Sequence, residues 1–558
     1  MANTLTGTTG SDILNAPGSV ATDVLGLQGD DSITLSLKND NGYGGDGADS
    51  FNVNVGTHNG SVYGGDGNDT LAFSTASTIF GGKAVLGDGA DFASTTATQV
   101  TGHVGGNAGN DTLTFAAGAL NGRIAAGADA DLITVTAGTL TNTTVHGGKG
   151  KDTITLDGST ITSGTVSGNQ GSDIINASGA TFNTSFMGLG KGNDSLKLGA
   201  VTTLTVAGGA GQDTIGTNTG TIFQGGTIYG DKNGSTSGET SSITGANAAN
   251  PNGADLIGHT AMTIASGAAL SIYGGGGSDT IRFSSGSTGA SVFIAGGDGG
   301  DLLGSTAATL GYSGSTIEGG AGDDTINLGA MFTGATGVGN LVLGGAGADS
   351  ISLVTAAGVY NASINGGAGN DTINLMSGLA GGSHSGGLTT INGGEGTDVI
   401  QFSVASGGIQ TLTSLTAGNV TGQTAYHAAI VYEAGDIIKY ANTAISTTGA
   451  NWVGGGGQIL VVTSITAVTI SAAANGANYS AQSAGSITVF SDGTDTYFFL
   501  AGESNSATFN FVVTGKDLVA TTSVGLVNNT STNVLFTAAA NTGTSGNAAA
   551  TGVSITLL

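Results

Sequence analysis

Gly64-Gly65-Asp66-Gly67-Asn68-Asp69-Thr70-Leu71-Ala72-Phe73 is the stretch that decides the fold of this chain. Gly at three fixed offsets permits the positive φ angles of a tight turn. The turn closes on an Asp, and polar and apolar residues then alternate. Alternation with period two is the pattern of a strand with one buried face.

The same stretch recurs along the sequence. Gly44-Gly45-Asp46-Gly47-Ala48-Asp49 precedes it, and Gly105-Gly106-Asn107-Ala108-Gly109-Asn110-Asp111 and Gly147-Gly148-Lys149-Gly150-Lys151-Asp152 follow. Further copies are Gly208-Gly209-Ala210-Gly211-Gln212-Asp213 and Gly319-Gly320-Ala321-Gly322-Asp323-Asp324, with others ending at Asp349, Asp371 and Asp398. Degenerate copies end at Asp12, Asp31, Asp91, Asp131, Asp173, Asp194, Asp279 and Asp301. The closing Asp returns about every 20–22 residues in most copies, which is too short for a helix-containing unit and fits a rung of two short strands and two turns. Stacked rungs form a parallel β-solenoid, whose core grows along an axis and so escapes the size limit of a single compact domain.

Composition agrees with a turn-rich repeat. Gly accounts for 106 of the 558 residues and Pro for only 2, so the Gly serves turns rather than collagen or a Pro-rich linker. Lys and Arg number 11 against 38 Asp and Glu, a net charge of -27. Nucleic acid is excluded as a partner, because its phosphates require clustered cations. Disulfides and thiolate metal sites are excluded by the absence of Cys. No apolar run is long enough to span a bilayer as a helix, and the segment MANTLTGTTGSDIL has neither the basic nor the apolar region of a cleaved secretory signal.

The Gly-Asp turn also has a metal-binding chemistry. Calcium takes about six to eight oxygens, drawn from carboxylates and backbone carbonyls. Gly-rich turns supply carbonyls and the closing Asp supplies charge. Stacking at about 5 Å makes neighbouring carboxylates repel by roughly 0.8 kcal/mol in water and about 3 kcal/mol at an effective dielectric near 20. Cations between the rungs would remove that cost.

With these turns in view, GGDGNDTLA and GGAGNDTIN resemble the Gly-Gly-x-Gly-x-Asp nonapeptide of the RTX, or hemolysin-type calcium-binding, repeat proteins. The resemblance covers most of residues 7–402. It implies a calcium-stapled parallel β-roll or β-helix, type I secretion with an uncleaved C-terminal signal, and folding outside the cell as calcium rises. It implies a dozen or more Ca²⁺ ions. Their carboxylate ligands would be Asp31, Asp46, Asp49, Asp66, Asp69, Asp91, Asp111, Asp152, Asp173, Asp194, Asp213, Asp279, Asp301, Asp324, Asp349, Asp371 and Asp398. Backbone carbonyls would come from Gly45, Gly47, Gly65, Gly67, Gly106, Gly148, Gly209, Gly320, Gly345, Gly367 and Gly394. This chain departs from the tandem nonapeptide by carrying one motif per rung, which implies one column of sites. Ala125-Ala126-Gly127-Ala128-Asp129-Ala130-Asp131 replaces two Gly and weakens the expectation there, and Lys149 and Lys151 flank Asp152.

Regularity breaks twice. The polar stretch 229–254 reads as a loop off the solenoid. The motif stops after about residue 402, so the solenoid is assigned to 1–425 and a β-rich C-terminal region, such as a sandwich, to 426–558. That region ends in ATGVSITLL, compatible with a type I secretion signal.

Enzyme motifs are missing. There is no His-Glu-x-x-His and no Gly-x-Ser-x-Gly, and the six His residues (58, 103, 146, 259, 384 and 427) are scattered and read as solvated. Glu433 and Asp436 read as local turn acids, and Asp492-Gly493-Thr494-Asp495 as a hairpin turn. The composition and the segment SDGTDTYFFLAGESNSATFNFVVTGKDL are similar to those of RTX-type surface-layer proteins of Gram-negative bacteria. This second resemblance implies a non-enzymatic S-layer subunit that assembles with itself on calcium, with lipopolysaccharide as a further partner. A calcium-dependent adhesin or biofilm-matrix protein and a polysaccharide-active β-helix are the alternatives.

Overall fold

In the computed structural model every regular element among the described residues is a β-strand. The structure describes residues 3–404 except 74–78, 96–98, 218–221, 232–252, 259–262, 284–290, 305–313, 329–338, 354–361 and 376–388. Beyond 404 it describes only the backbone of the strands named below. The chain divides into two compact units, Met1–Ala265 with Ala269–Phe283, and Ser266–Ala268 with Ser284–Leu558.

In the first unit the parallel solenoid is built of rungs in which like residues stack on like. Asn41–Asp46 pairs in parallel with Ser61–Asp66, placing Gly45 beside Gly65 and Asp46 beside Asp66. After the turn, Ser50–Val53 pairs with Thr70–Phe73, placing Phe51 beside Leu71 and Val53 beside Phe73. The second residue after each closing Asp points inward. Ile33, Phe51, Leu71, Ala93, Leu113, Ile133, Ile154, Ile175, Leu196, Ile215, Ile257 and Ile281 all lie buried there. Each such large side chain contributes about 1.5–3 kcal/mol by leaving water, yet no single rung could bury its own.

The rung holds one strand more than the motif suggested. Thr57–His58 pairs in parallel with Ile79–Phe80, which pairs with Gln99–Val100. This third, short column points one side chain per rung into the core: His58, Phe80, Val100, Leu120, Leu140, Ile161, Phe182 and Val201. One apolar residue in a polar stretch produces no alternation, so this column has no periodic signal.

The second unit repeats the parallel plan. Thr316–Ala321, Asn340–Ala346, Ala362–Ala368 and Thr389–Glu395 form one ladder. Thr325–Leu328, Ser350–Leu353, Thr372–Leu375 and Val399–Val404 form the other. The ladders run past residue 425: Ala428–Val431 pairs in parallel with Thr389–Glu395, and Ile437–Asn442 with Val399–Val404. The Gly-Asp turn therefore ends before the parallel pairing does, because a ladder needs only strand backbone.

Pairing then changes sense. Ala550–Leu557 lies antiparallel to both Ile437–Asn442 and Phe536–Thr542. Thr496–Ala501 lies antiparallel to both Ile487–Ser491 and Ala507–Val513, and Leu460–Val462 pairs in parallel with Ile487–Ser491. The region is β-rich as its sequence suggests. The hairpin turn at 492–495 and the acids Glu433 and Asp436 lie outside the described residues, as does most of the 229–254 loop. Among the described residues no helix is long and apolar enough to cross a membrane.

Candidate metal centre

The closing Asp of each turn points into the solenoid. Asp49 is 1% exposed, and its counterparts from Asp31 to Asp279 in the first unit and from Asp301 to Asp398 in the second are buried likewise. Each uses one oxygen to join its neighbour. The N–H of Asp31 donates to Oδ1 of Asp49 at 2.8 Å, that of Asp49 to Oδ1 of Asp69 at 2.8 Å, and that of Asp69 to Oδ1 of Asp91 at 2.7 Å. The chain of bonds continues through Asp111, Asp131, Asp152, Asp173, Asp194, Asp213, Asp255 and Asp279. In the second unit it links Asp301, Asp324, Asp349, Asp371 and Asp398.

The second oxygen is a different matter. Oδ2 of Asp49, Asp69, Asp91, Asp111, Asp131, Asp152, Asp173, Asp194, Asp213, Asp324, Asp349 and Asp371 is buried without a hydrogen-bond partner, as is that of Asp31. Such an atom costs about 1–3 kcal/mol, and more when charged. The chain can satisfy a buried carboxylate when it needs to. Asp40, fully buried at another corner, accepts from the amides of Thr22, Ser36 and Leu37 at 2.9, 3.0 and 2.7 Å. In the first turn Oδ2 of Asp12 accepts from the Thr8 amide at 2.6 Å and the Thr8 hydroxyl at 2.9 Å.

The partnerless oxygen faces a backbone carbonyl of the next rung. A Cβ built on Gly44 would run into both Asp49 Oδ2 and the Gly64 carbonyl, and one on Gly64 into Asp69 Oδ2 and the Leu86 carbonyl. The same convergence appears at Gly319, where Asp324 Oδ2 meets the Gly344 carbonyl, and at Gly366, where Asp371 Oδ2 meets that of Gly393. Where the first position is Gly, two oxygens crowd the place of a side chain; Leu86, Ala126 and Leu189 hold the same position in three other rungs and are buried there. A carboxylate oxygen that has no donor and faces a carbonyl oxygen is in an arrangement that a hard cation stabilises.

Burial raises these carboxyls. Asp49, Asp91, Asp173 and Asp371 are pushed up to about 6, and Asp69, Asp111, Asp152, Asp194, Asp213 and Asp324 to about 7. Asp131 and Asp255 reach about 8. Desolvation is the main cause throughout. The amide of the preceding Asp opposes it, and neighbouring carboxylates in the column add to it in most cases.

Several expectations change. Asp46 and Asp66 do not join the column: the pleat turns them to solvent, where Asp46 Oδ2 accepts from Gln28 at 3.2 Å. Gly45, Gly47, Gly65, Gly67, Gly148, Gly209, Gly320, Gly345, Gly367 and Gly394 are required for another reason than proximity to the carboxylate. All have positive φ, and a Cβ on any of them would strike a carbonyl of the preceding rung. The carbonyl beside Oδ2 belongs instead to the first residue of the next motif. Gly106 holds such a first position, against Asp111 Oδ2 and the Ala126 carbonyl. Lys149 and Lys151 project to solvent and leave Asp152 in the column.

Asp131 belongs to the column despite its altered turn, with Ala126 at the place that Gly64 takes before Asp69. Asp255 was missed altogether, because its motif is split into Gly230-Asp231 and Gly253-Ala254-Asp255 by residues 232–252. The apolar Leu256-Ile257 after it was the available signal. His58 is fully buried, not solvated, and stacks on Phe80 with ring centroids 6.0 Å apart. His146 is nearly buried too, and desolvation, with help from Arg123, lowers it to about 4. His259, His384 and His427 lie outside the described residues.

Among the described residues no three His, Asp or Glu side chains gather at one point, so a cation here would draw on backbone carbonyls besides the column carboxylates. No protein-family model matches the chain, and no curated protein matches it.

Proposed function

We propose that this protein is a structural surface-layer subunit that folds outside the cell on binding Ca²⁺ and assembles with itself. The observation that carries the reading is the column of buried Asp residues, each with one oxygen bonded along the column and, in most rungs, the other facing a carbonyl without a donor. Asp49, Asp69 and their counterparts would hold the ions with their Oδ2 atoms, and the first residue of the next motif would add its carbonyl. Bound calcium supplies the positive charge that lets stacked carboxylates stay ionised in a dry turn. Binding free energy of this kind becomes folding free energy, since the site does not exist in the unfolded chain.

Assembly follows from charge. A net charge of -27 makes copies repel, and divalent ions that neutralise it would permit close packing. The repeat occupies most of the chain, as expected of a protein whose business is its own shape and surface. Type I secretion and attachment through lipopolysaccharide belong to the same proposal.

Negative-stain electron microscopy of the purified chain tests it, in millimolar Ca²⁺ and again with a chelator. Ordered two-dimensional sheets that appear only with calcium support the surface-layer reading. Separate ordered particles with calcium and collapsed chains without it would favour an adhesin or matrix role. Particles indifferent to calcium would remove the metal from the account.

A further inference from the structure

The turn around Asp255 differs from every other. The chain enters it as Tyr229-Gly230-Asp231 and completes it as Gly253-Ala254-Asp255. Gly230 occupies the first-Gly place, for a Cβ on it would meet Asp255 Oδ2 and the Gly274 carbonyl. Gly253 occupies the last-Gly place, for a Cβ on it would meet the Gly211 carbonyl, as one on Gly47 would meet that of Gly29. Asp255 carries the column through: its Oδ1 accepts from the Asp213 amide at 2.7 Å, and its own amide donates to Asp279 at 2.8 Å. The inserted residues therefore leave the column itself intact.

Asp231 stands where intact motifs carry the second Gly. Its Oδ2 accepts from the Gly276 amide of the next rung at 2.9 Å. A purely structural role, in which the carboxylate accepts from the backbone of Gly276 and also of Gly253 across the insertion, explains part of this side chain. It does not explain Oδ1, which is buried without a hydrogen-bond partner. Nor does it explain why a second acid should stand beside Asp255, which is 2% exposed and has its own Oδ2 buried without a partner. Asp231 follows Gly230, on which a Cβ would meet Asp255 Oδ2, and it adds to the raised carboxyls of both Asp255 and Asp213.

We infer that the split turn is a two-carboxylate cation site, formed by Asp231 and Asp255 with the Gly274 carbonyl, that binds Ca²⁺ more tightly than the single-carboxylate turns around it. The inference rests on the calcium reading of the column and adds to it a ranking of sites. Calcium affinity rises with the number of charged ligands, so this turn fills first. Because Asp231 and Asp255 lie on opposite sides of the insertion, the ion joins the points where the chain leaves the solenoid and returns to it.

Calcium binding to the full chain, followed by calorimetry, tests the ranking. The wild type should show one tight ion, held about tenfold or more above the remaining class. Asp231→Asn keeps an oxygen for the Gly276 amide and should abolish the tight class while leaving the weaker ions in place. Asp69→Asn, in an ordinary turn, should remove a weak ion and spare the tight one. Trypsin provides a second readout at the bond after Lys232, which calcium should protect in the wild type at the concentration that fills the tight class. A tight class that survives Asp231→Asn, or cleavage after Lys232 at one rate with and without calcium, would overturn the two-carboxylate site. No calcium uptake by any of the three proteins would overturn the reading of the whole column instead.

Discussion

Asp49 and Asp69 are joined by a 2.8 Å hydrogen bond from the backbone amide of the first to Oδ1 of the second, and Oδ2 of each is left buried with no donor. The side chain that locks two rungs together is thus half satisfied. The bond is part of the scaffold, and the unsatisfied oxygen is the atom that a cation or a proton would satisfy.

Replacing one column carboxylate by its amide separates these two roles. In Asp111→Asn the side-chain oxygen still accepts from the Asp91 amide, while the new NH₂ can donate toward the Ala126 carbonyl. The calcium-free protein should gain about 1–3 kcal/mol, because a buried unsatisfied acid is removed. The stabilisation added by calcium should shrink. Chemical denaturation of both proteins with and without Ca²⁺ measures the two terms, and a calcium-free loss of stability would contradict the account.

The first position of the motif makes a steric prediction. Ala126 carries a Cβ at a position that is Gly in most rungs and Leu in two, at Leu86 and Leu189. Ala126→Gly should open the turn at Asp131 and raise calcium uptake by that rung, at a backbone cost of about 0.5–1 kcal/mol in the calcium-free state. Gly64→Ala should do the reverse, since its methyl would meet Asp69 Oδ2 and the Leu86 carbonyl, with a loss of about 1–3 kcal/mol. Calcium stoichiometry and denaturation midpoints report both.

The pH dependence should change sign with calcium. Asp69 has a folded value of about 7 against 3.8 for the free group. A carboxyl raised on folding adds stability that is complete below 3.8 and is lost as pH rises through about 7. The calcium-free chain should therefore melt at a lower temperature near pH 8 than near pH 5. Calcium needs the ionised form, so its binding near pH 6.5 should release protons into a weakly buffered solution. Calcium binding without proton release would count against ligation by these carboxyls.

His58 gives an opposite and independent signal. Burial holds this imidazole below its usual value. A depressed base contributes stability above its unfolded value of 6.5 that is lost as pH falls. His58→Phe, which would stack on Phe80 as His58 does, should raise the melting temperature more near pH 5 than near pH 8. An equal change at both values would mean that the ring's charge plays no part.

The sequence by itself determined the parallel solenoid and the period of its rungs, because Gly-Gly-x-Gly-x-Asp and the alternation after it are local and repeat in register. Thr325-Ile326-Asn327-Leu328 reads as a strand with Ile326 and Leu328 inward, and it is one. It also placed the closing Asp residues of each unit in a column, since near-equal spacing makes equal residues stack. Only the tertiary structure decided which oxygens meet. Asp46 and Asp49 look alike in the motif, yet the pleat and the turn send one to solvent and the other inside. The carbonyl facing Asp49 comes from Gly64 in the next rung, a relationship that no spacing within a single motif contains. Asp255 joined the column only once folding brought Gly230 and Gly253 into one turn across the insertion. The physical reason is common to all three. Strand and turn preferences act over a few neighbours, whereas a site made by stacking depends on residues about twenty positions apart, and their facing atoms are set by the geometry of the ladder.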